Sequence, residues 1–264
     1  MGEKMPVLFV GHGSPMNIVS DNRFTRSLAA WGKRLPRPRA ILSISAHWLT
    51  DGTFVGCMEK PRTIHDFYGF PRELYTKDYP CSGAPDEAEF AAGLVRKAPV
   101  GCRLDWGLDH GTWSVLLHLF PRADIPVFQL SLDYTFNDWN PKPLRHHYEL
   151  AKELAPLRDR GVLIIGSGNI VHNLGIIDFE NVDAEPLDWA LEFDEEVKTA
   201  LISRNDTSLV GYEELASSAL AVPTLDHYLP LIYSIALREQ GEPLTFTHEG
   251  FQHASISMRC FQIG

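Results

Sequence analysis

The chain contains four short apolar segments that predict buried strands. They are PVLFVG (Pro6–Gly11), AILSISAH (Ala40–His47), IPVFQLSL (Ile125–Leu132) and GVLIIGSG (Gly161–Gly168). Each is rich in β-branched residues and is bounded by glycine, proline or polar residues. A short continuous apolar run of this kind is typical of a strand that is covered on both faces.

Between and after these segments, apolar residues recur at helical spacing. The predicted helical stretches are residues 22–35, 86–98, 112–120, 145–160, 187–203 and 226–240. Strands that alternate with helices predict the α/β class, with a mostly parallel central sheet flanked by helices on both faces. No repeat, low-complexity segment or long linker interrupts the pattern, so residues 1–264 are expected to form a single domain.

Two regions depart from this alternation. In the tail, residues 246–264, apolar Ile256 and Met258 alternate with polar neighbours, which predicts a closing strand or hairpin. Residues 52–87 mix proline, glycine and aromatic residues, which favours a strand followed by an ordered loop. Long loops inside compact domains are often functional.

Composition narrows the class of protein without identifying it. Hydrophobic residues make up 44% and charged residues 22%, and the formal net charge is −10 with no basic block, so a nucleic-acid partner is not expected. No stretch approaches the roughly 20 apolar residues of a membrane span. Cys57, Cys81, Cys102 and Cys260 form no CxxC pair, which argues against a zinc ribbon and suits a reducing compartment. A cytoplasmic protein is expected.

Four of the 11 histidines occupy positions where side chains can converge. His12 follows the first predicted strand, His47 ends the second, His172 lies just beyond the fourth, and His227 opens a helical stretch. Ligands of open parallel sheets bind outside the carboxyl ends of the strands. A single histidine at a strand end is more often a hydrogen-bonding residue, but four at one edge favour a metal site.

Other kinds of site have weaker support. The segment GHGSPMN lacks the spacing of a dinucleotide fingerprint or a phosphate-binding loop. Ser14 and Ser167 do not lie in a G-x-S-x-G turn, so a serine hydrolase is a poor second choice.

Two further segments carry candidate side chains. In LDHGTWSVL, Asp109 or Thr112 can cap a helix, and His110 either stabilises that helix end or faces a substrate. In TIHDFYGFP, the aromatic residues Phe67, Tyr68 and Phe70 form either a small hydrophobic cluster or the wall of a pocket for a flat ring, with His65 as a polar contact.

Taken together and in order, these segments resemble a known family. GHGSPMN, SAHW, TIHDFYGFP, LDHGTWSVLLHLFP and GSGNIVHNL are similar to motifs of the class III extradiol ring-cleaving dioxygenases, the protocatechuate 4,5-dioxygenase catalytic-subunit-like superfamily. Within it, the 4,5-DOPA extradiol dioxygenase group is the nearer match. The resemblance runs from the first strand to about residue 175, and the total length agrees.

The resemblance implies a role for each of these residues. His12 and His47 would hold a divalent metal ion, Zn²⁺ or Fe²⁺, with His227 as the third ligand where the ring-cleaving relatives usually have a carboxylate; Asp226 is the alternative. His172 matches the family's acid–base position, and His110 matches a position that contacts the substrate or bound oxygen. His65, Tyr68 and Phe70 would bind the substrate, and His253 could also reach the pocket.

The implied activity is opening of a catechol ring with O₂, for which DOPA is the type substrate. Two alternatives remain at this point: a zinc hydrolase that acts on a small amide or ester, and a metal-binding module without catalysis. The partners expected are a small catechol and O₂, with neither nucleic acid nor membrane. The sequence does not separate a monomer from a small homo-oligomer.

Overall fold

A computed structural model describes residues 4–134 and 143–264. The strands within these ranges are β1 (Val7–Gly11), β2 (Ala40–Thr50), β3 (Thr53–Gly56), β4 (Val100–Arg103), β5 (Val127–Asp133), β6 (Val162–Gly168), β7 (Leu244–His248), β8 (Phe251–Gln252), β9 (Ile256–Ser257) and β10 (Cys260–Ile263). The helices are α1 (Arg23–Gly32), α2 (Pro85–Leu94), α3 (His110–Leu119), α4 (Leu144–Glu153), α5 (Pro156–Asp159), α6 (Asp188–Ser203), α7 (Asp206–Val210), α8 (Ser218–Ala221) and α9 (Leu229–Ala236).

Eight strands form one central sheet in the order β4-β3-β5-β2-β6-β1-β10-β7. Its middle is parallel, since β5 pairs with β2, β2 with β6, and β6 with β1. The tail closes one side, where β10 runs antiparallel to β1 and β7 runs antiparallel to β10. The predicted α/β class with a mostly parallel sheet is confirmed.

Both faces of the sheet are covered, and the strands show why their sequences are continuously apolar. Successive side chains of a strand point to opposite faces. Along β1, Val7 and Phe9 pack in a core with α4, α6 and α9, whereas Leu8 and Val10 pack in a second core with α1 and α3. Because no residue of β1 faces water, its sequence has no polar alternation.

The structure differs from the predicted elements where segments are short or contain proline. Residues 145–160 form two helices, α4 and α5, because Pro156 begins the second. The helix predicted from residue 226 begins at Leu229, next to Pro230. Strand β4 and helices α7 and α8, of four or five residues each, are too short to show a period in the sequence.

A disulfide joins Cys57, just after β3, to Cys102 in β4. The sequence separates these residues by 45 positions, but β3 and β4 are parallel neighbours, and the two Cα atoms lie 5.8 Å apart. Disulfides are typical of oxidising compartments. The cysteines therefore do not support the expected cytoplasmic location, which stays a prediction.

None of the helices in the two described ranges has the length and apolar character that a membrane crossing requires.

Candidate metal and substrate site

Parallel pairing brings the candidate histidines to one edge of the sheet. His12 directly follows β1, His47 lies in the last part of β2, and His172 comes four residues after β6. His227 joins them from the segment before α9, where its carbonyl oxygen accepts a hydrogen bond from the backbone N–H of Asn169 at 2.9 Å. The edge is the one where ligands of parallel sheets bind.

Three imidazoles form a compact triangle. The ring centres of His12, His47 and His227 are 5.0, 5.0 and 5.3 Å apart. The Nε2 atoms of His12 and His47 face each other at 3.1 Å, and one nitrogen from each of the three rings lies within 4.8 Å of the others. This spacing suits three ligands of one metal ion.

The outer nitrogens of two of these rings are already engaged. Ser167 Oγ donates to the carbonyl of Gly111 at 2.6 Å, so it is free to accept the Nδ1 proton of His12 at 3.0 Å. His227 Nδ1 lies 2.8 Å from Oδ2 of Asp226. Hydrogen bonds of this kind fix the tautomer in which Nε2 carries the free electron pair.

Burial keeps two imidazoles of the triangle, those of His12 and His47, uncharged. Desolvation, followed by the charges of the neighbouring imidazoles, holds the pKa values of His12 and His47 well below the usual value of a histidine. Metal ions bind the neutral form of imidazole. The three nitrogen donors, and the neutral state of His12 and His47, therefore fit a divalent cation.

Two further imidazoles border the triangle. The ring of His172 stacks on that of His227, with centres 3.5 Å apart, and burial lowers the pKa of His172 well below its usual value. His110, the first residue of α3, lies on the other side, with its ring centre 3.9 Å from that of His47. The five histidines thus enclose one space.

Asp66 is a site residue that the sequence prediction missed. Its Oδ2 is 2.9 Å from Nδ1 of His110 and 3.6 Å from Nδ1 of His47, and its Oδ1 accepts the backbone N–H of His110 at 2.8 Å. The carboxylate therefore orients the imidazole of His110 through two hydrogen bonds and lies close to that of His47. The one feature of the sequence that could have indicated Asp66 is its position next to His65 in the TIHDFYGFP segment.

Asp109 places His110 by capping α3. Its carboxylate accepts the N–H of Thr112 at 3.0 Å, together with hydrogen bonds from Ser45 and Gln129. Burial, followed by the charge of Asp66, raises the pKa of Asp109. Asp109 is fully buried and acts through the helix end it holds.

A cavity of about 440 Å³ opens from the imidazoles to the surface. Tyr68 and Phe70 line it, as does His253, whose Nδ1 is 2.8 Å from the carbonyl oxygen of Asp178. His65 does not line it. Instead, its Nε2 is 2.9 Å from the carbonyl oxygen of Lys77, and its ring packs behind the cavity against Trp113.

Glycines make room where the backbone carries His12. Gly13 has φ +62°, a left-handed conformation that favours glycine. A Cβ at Gly11 would lie 2.8 Å from the carbonyl oxygen of Ser257, so only glycine fits there without a shift. These two residues explain the GHG sequence around the imidazole.

Comparisons with known proteins show the family of this chain. The family described as the catalytic LigB subunit of aromatic ring-opening dioxygenase matches residues 6–258. A "4,5-DOPA dioxygenase extradiol" of Escherichia coli (strain K12) is 45% identical over 99% of this chain and 95% of its own length. A protein of the same name from Beta vulgaris is 38% identical over 94% of this chain and 92% of its own length.

A solved structure shows the same fold. The crystal structure of an uncharacterized protein from Escherichia coli K12 superposes with a TM-score of 0.85 at 41% identity, covering 99% of this chain and 100% of that one. The family match spans the whole set of site residues and favours ring opening over hydrolysis. The chain belongs to the family of the catalytic LigB subunit of aromatic ring-opening dioxygenases, and it is an extradiol ring-cleaving dioxygenase.

Proposed function

We propose that this enzyme uses O₂ and one bound divalent metal ion to open the ring of a catechol, with 4,5-cleavage of DOPA or a similar catechol as its reaction. The observation that carries the proposal is the triangle of His12, His47 and His227 at the base of a cavity with aromatic walls. The names of the Escherichia coli and Beta vulgaris relatives support DOPA as the first substrate to test.

His12, His47 and His227 are the proposed metal ligands, each through its inward nitrogen. Asp226 is the weaker candidate, because its Oδ2 already pairs with Nδ1 of His227. A bound ion, Fe²⁺ or Zn²⁺, would supply positive charge to the catechol oxygens, and Fe²⁺ would also supply the redox chemistry that O₂ requires and Zn²⁺ lacks. We expect turnover with Fe²⁺.

His172 and His110 are the proposed catalytic residues. An uncharged imidazole is suited to accept a catechol proton, and His172, which is held neutral by burial, borders the space where the diol would lie. His110 is tied to Asp66 through Nδ1, so Nε2 is its free atom for a hydrogen bond to substrate or oxygen. These roles are the ones implied by the resemblance of the segments GSGNIVHNL and LDHGTWSVLLHLFP to motifs of the family.

The aromatic side chains of Tyr68 and Phe70 are proposed to hold the catechol ring, since both line the cavity. A direct contact of His65 with the substrate stays a prediction. The position of its ring behind the cavity wall, against Trp113, does not favour that contact. We further propose that the enzyme is cytoplasmic and acts as a monomer or a small homo-oligomer.

The test combines metal analysis with oxygen consumption. The purified protein is analysed for iron and zinc, and O₂ uptake with DOPA is then measured before and after anaerobic loading with Fe²⁺. Stoichiometric metal and uptake that depends on Fe²⁺ would support the proposal. Stoichiometric zinc without uptake in either state, with DOPA or with simple catechols, would contradict it.

A further inference from the structure

We infer that His253 makes this site selective for catechols whose ring substituent carries an ammonium group, with Nε2 of the imidazole as the acceptor of its hydrogen bond. The inference rests on the proposed function and adds a specificity-determining residue and the chemical group that this residue recognises. The evidence comes from the turn between β8 and β9, which forms one wall of the cavity.

The turn that carries His253 has an unusual backbone. His253 and the next residue, Ala254, have φ values of +54° and +66°, in the left-handed region that residues other than glycine rarely adopt. Such conformations persist where the surrounding structure holds them, and they cluster at binding and catalytic sites. Two of them in succession indicate that this turn serves the position of a side chain.

Backbone hydrogen bonds hold the turn against the loop that follows β6. The N–H of His253 donates to the carbonyl of Val182 at 2.9 Å, and its carbonyl accepts the N–H of Asp178 at 3.1 Å. The N–H of Leu187 donates to the carbonyl of Ala254 at 3.0 Å. The turn and the loop therefore form one connected part of the cavity wall.

The same turn is joined to the metal side of the cavity. Gln252 exchanges two amide hydrogen bonds with Asn17, at 3.0 and 3.2 Å, and Asn17 also donates to the carbonyl of His12 at 3.4 Å. Ile256, which pairs with Gln252 across the turn, forms a backbone bridge with His172. The turn is therefore fixed relative to a proposed metal ligand and to the proposed base.

The proton on the His253 ring is assigned by its hydrogen bond. Nδ1 lies 2.8 Å from the carbonyl oxygen of Asp178, and a carbonyl oxygen only accepts, so Nδ1 carries the proton. In a neutral imidazole Nε2 is then an acceptor. Within residues 4–134 and 143–264, Nε2 makes no hydrogen bond, and the ring lines the cavity. It therefore offers a bound substrate a lone pair, the partner of an N–H donor.

The side chains around this acceptor favour a cation. Residues 178–188 contain five carboxylates and neither lysine nor arginine; the five are Asp178, Glu180, Asp183, Glu185 and Asp188. Phe179, from the same loop, and Tyr68 line the cavity beside His253. The faces of aromatic rings attract ammonium groups. The mouth of the cavity therefore combines negative charge, aromatic faces and a hydrogen-bond acceptor.

The side chain of DOPA fits this arrangement. Its ammonium group can donate to Nε2 of His253, whereas its carboxylate can remain in water, because the mouth of the cavity is open to solvent and Tyr68 there is 92% exposed. In the described part of the chain, the cavity lining includes no lysine or arginine to pair with that carboxylate. The recognised feature is therefore the amine.

The first experiment compares two pairs of catechols, each of which differs only by an amine. The pairs are DOPA with 3-(3,4-dihydroxyphenyl)propanoate, and dopamine with 4-ethylcatechol. On the Fe²⁺-loaded enzyme we expect kcat/KM to be about tenfold higher for the member with the amine in both pairs, the lower end of the contribution of a hydrogen bond to a charged group. Isothermal titration calorimetry on the Zn²⁺-loaded enzyme should give the same ratios in Kd without turnover.

The second experiment separates Nε2 from the rest of the side chain. His253→Asn keeps an amide N–H for the carbonyl of Asp178 and tolerates the left-handed backbone, but it has no atom at the position of Nε2. His253→Gln reaches that position with an amide oxygen that can accept. We expect both ratios to fall close to one in His253→Asn and to be retained in part in His253→Gln.

A second histidine of the tail supplies the matched control. His248 lies in β7 outside the cavity, so His248→Asn makes the same chemical change without removing a group from the cavity wall. This variant should keep the native ratio of kcat/KM in both pairs.

The outcomes separate the inference from the function on which it rests. No O₂ uptake with any of the four catechols would refute the proposed function and the inference with it. Uptake with equal kcat/KM within each pair would refute the inference alone, as would ratios that persist in His253→Asn. A preference for the propanoate over 4-ethylcatechol, without one for dopamine, would show that the cavity binds the carboxylate instead, which also overturns it.

Discussion

At the scale of single residues, the imidazoles of the site differ in their hydrogen bonds and therefore in their proposed roles, as metal ligands or as a base. His12 and His227 have their Nδ1 atoms paired with Ser167 and Asp226, and each turns its other nitrogen inward. His172 shares the cavity, and its ring stacks on that of a proposed ligand without belonging to the triangle. Removal of the rings should therefore have distinguishable effects.

Alanine at a proposed ligand should remove metal, whereas alanine at the proposed base should not. We expect His227→Ala to lower the metal content of the purified enzyme strongly, since two ligands remain. His172→Ala should retain metal and lose about 10²- to 10⁴-fold in kcat, the usual contribution of general acid–base catalysis. Elemental analysis and O₂ uptake on the same preparations measure both. Full metal in His227→Ala would exclude His227 as the third ligand and make Asp226 the next candidate.

Replacement of Asp66 tests whether its carboxylate orients the imidazole of His110. In Asp66→Asn the amide can still accept the N–H of His110, but its NH₂ group would face Nδ1 and disfavour the tautomer of the native enzyme. We expect kcat to fall about 10- to 100-fold. Asp105→Asn, at an exposed ion pair with Arg103, is the control and should have native kcat. Native activity in both variants would remove Asp66 from the site.

The missed aspartate shows what a sequence can predict of a site. His12, His47 and His172 could be found because apolar strands place the residues that follow them at one edge. Asp66 and His65 are neighbours in an irregular loop, where no period indicates which side chain points inward. The sequence favoured the histidine, and the structure turns the aspartate towards the imidazoles instead.

At the scale of elements, α3 determines how closely the site can be packed. Its second residue, Gly111, faces β2, where an added Cβ would lie 2.6 Å from Oγ of Ser45 and 2.8 Å from Cδ2 of His47. Helix propensity alone would favour alanine by about 1 kcal/mol. Overpacking of a buried contact costs about 1–3 kcal/mol and shifts the groups involved.

Two helix glycines therefore give opposite predictions. Gly111→Ala should lower the free energy of unfolding by about 1–2 kcal/mol and kcat by at least about tenfold, because it displaces the His47 ring. Gly93→Ala in α2, where a Cβ meets nothing within 4 Å, should raise the free energy of unfolding by about 0.5–1 kcal/mol at native kcat. Urea unfolding and O₂ uptake compare them. Equal effects of the two variants would mean that α3 does not constrain the site.

Long elements whose residues are all buried could be predicted from the sequence, whereas short or partly exposed elements could not. The four central strands are buried on both faces, so their sequences carry an unbroken apolar signal. Strand β4 is partly exposed and four residues long, and its pairing with β3 depends on the rest of the sheet. The same pairing brings Cys57 next to Cys102, and the spacing of the cysteines in the sequence does not predict this disulfide.

At the scale of the whole molecule, the neutral imidazole cluster links folding to pH. In the folded chain, burial holds the pKa values of His12, His47 and His172 well below their usual range, whereas in the unfolded chain these residues take up protons below about pH 6.5. Below that pH the unfolded state binds more protons. The contribution of the cluster to stability is therefore complete above pH 6.5 and is lost as the pH falls.

Metal-free enzyme should accordingly become easier to unfold between pH 7 and pH 5.5. Each imidazole that is neutral in the folded state and protonated in the unfolded state changes the free energy of unfolding by at most about 1.4 kcal/mol per pH unit. The measured slope therefore gives the number of histidines that stay neutral in the folded protein. Urea denaturation at constant ionic strength measures it, and His172→Gln should reduce the slope by up to one proton because it removes one titrating ring. Equal stability of the metal-free enzyme at the two pH values would contradict this prediction, because it would mean that the folded site takes up protons as readily as the unfolded chain. His12 and His47 would then become neutral only when a metal ion displaces those protons.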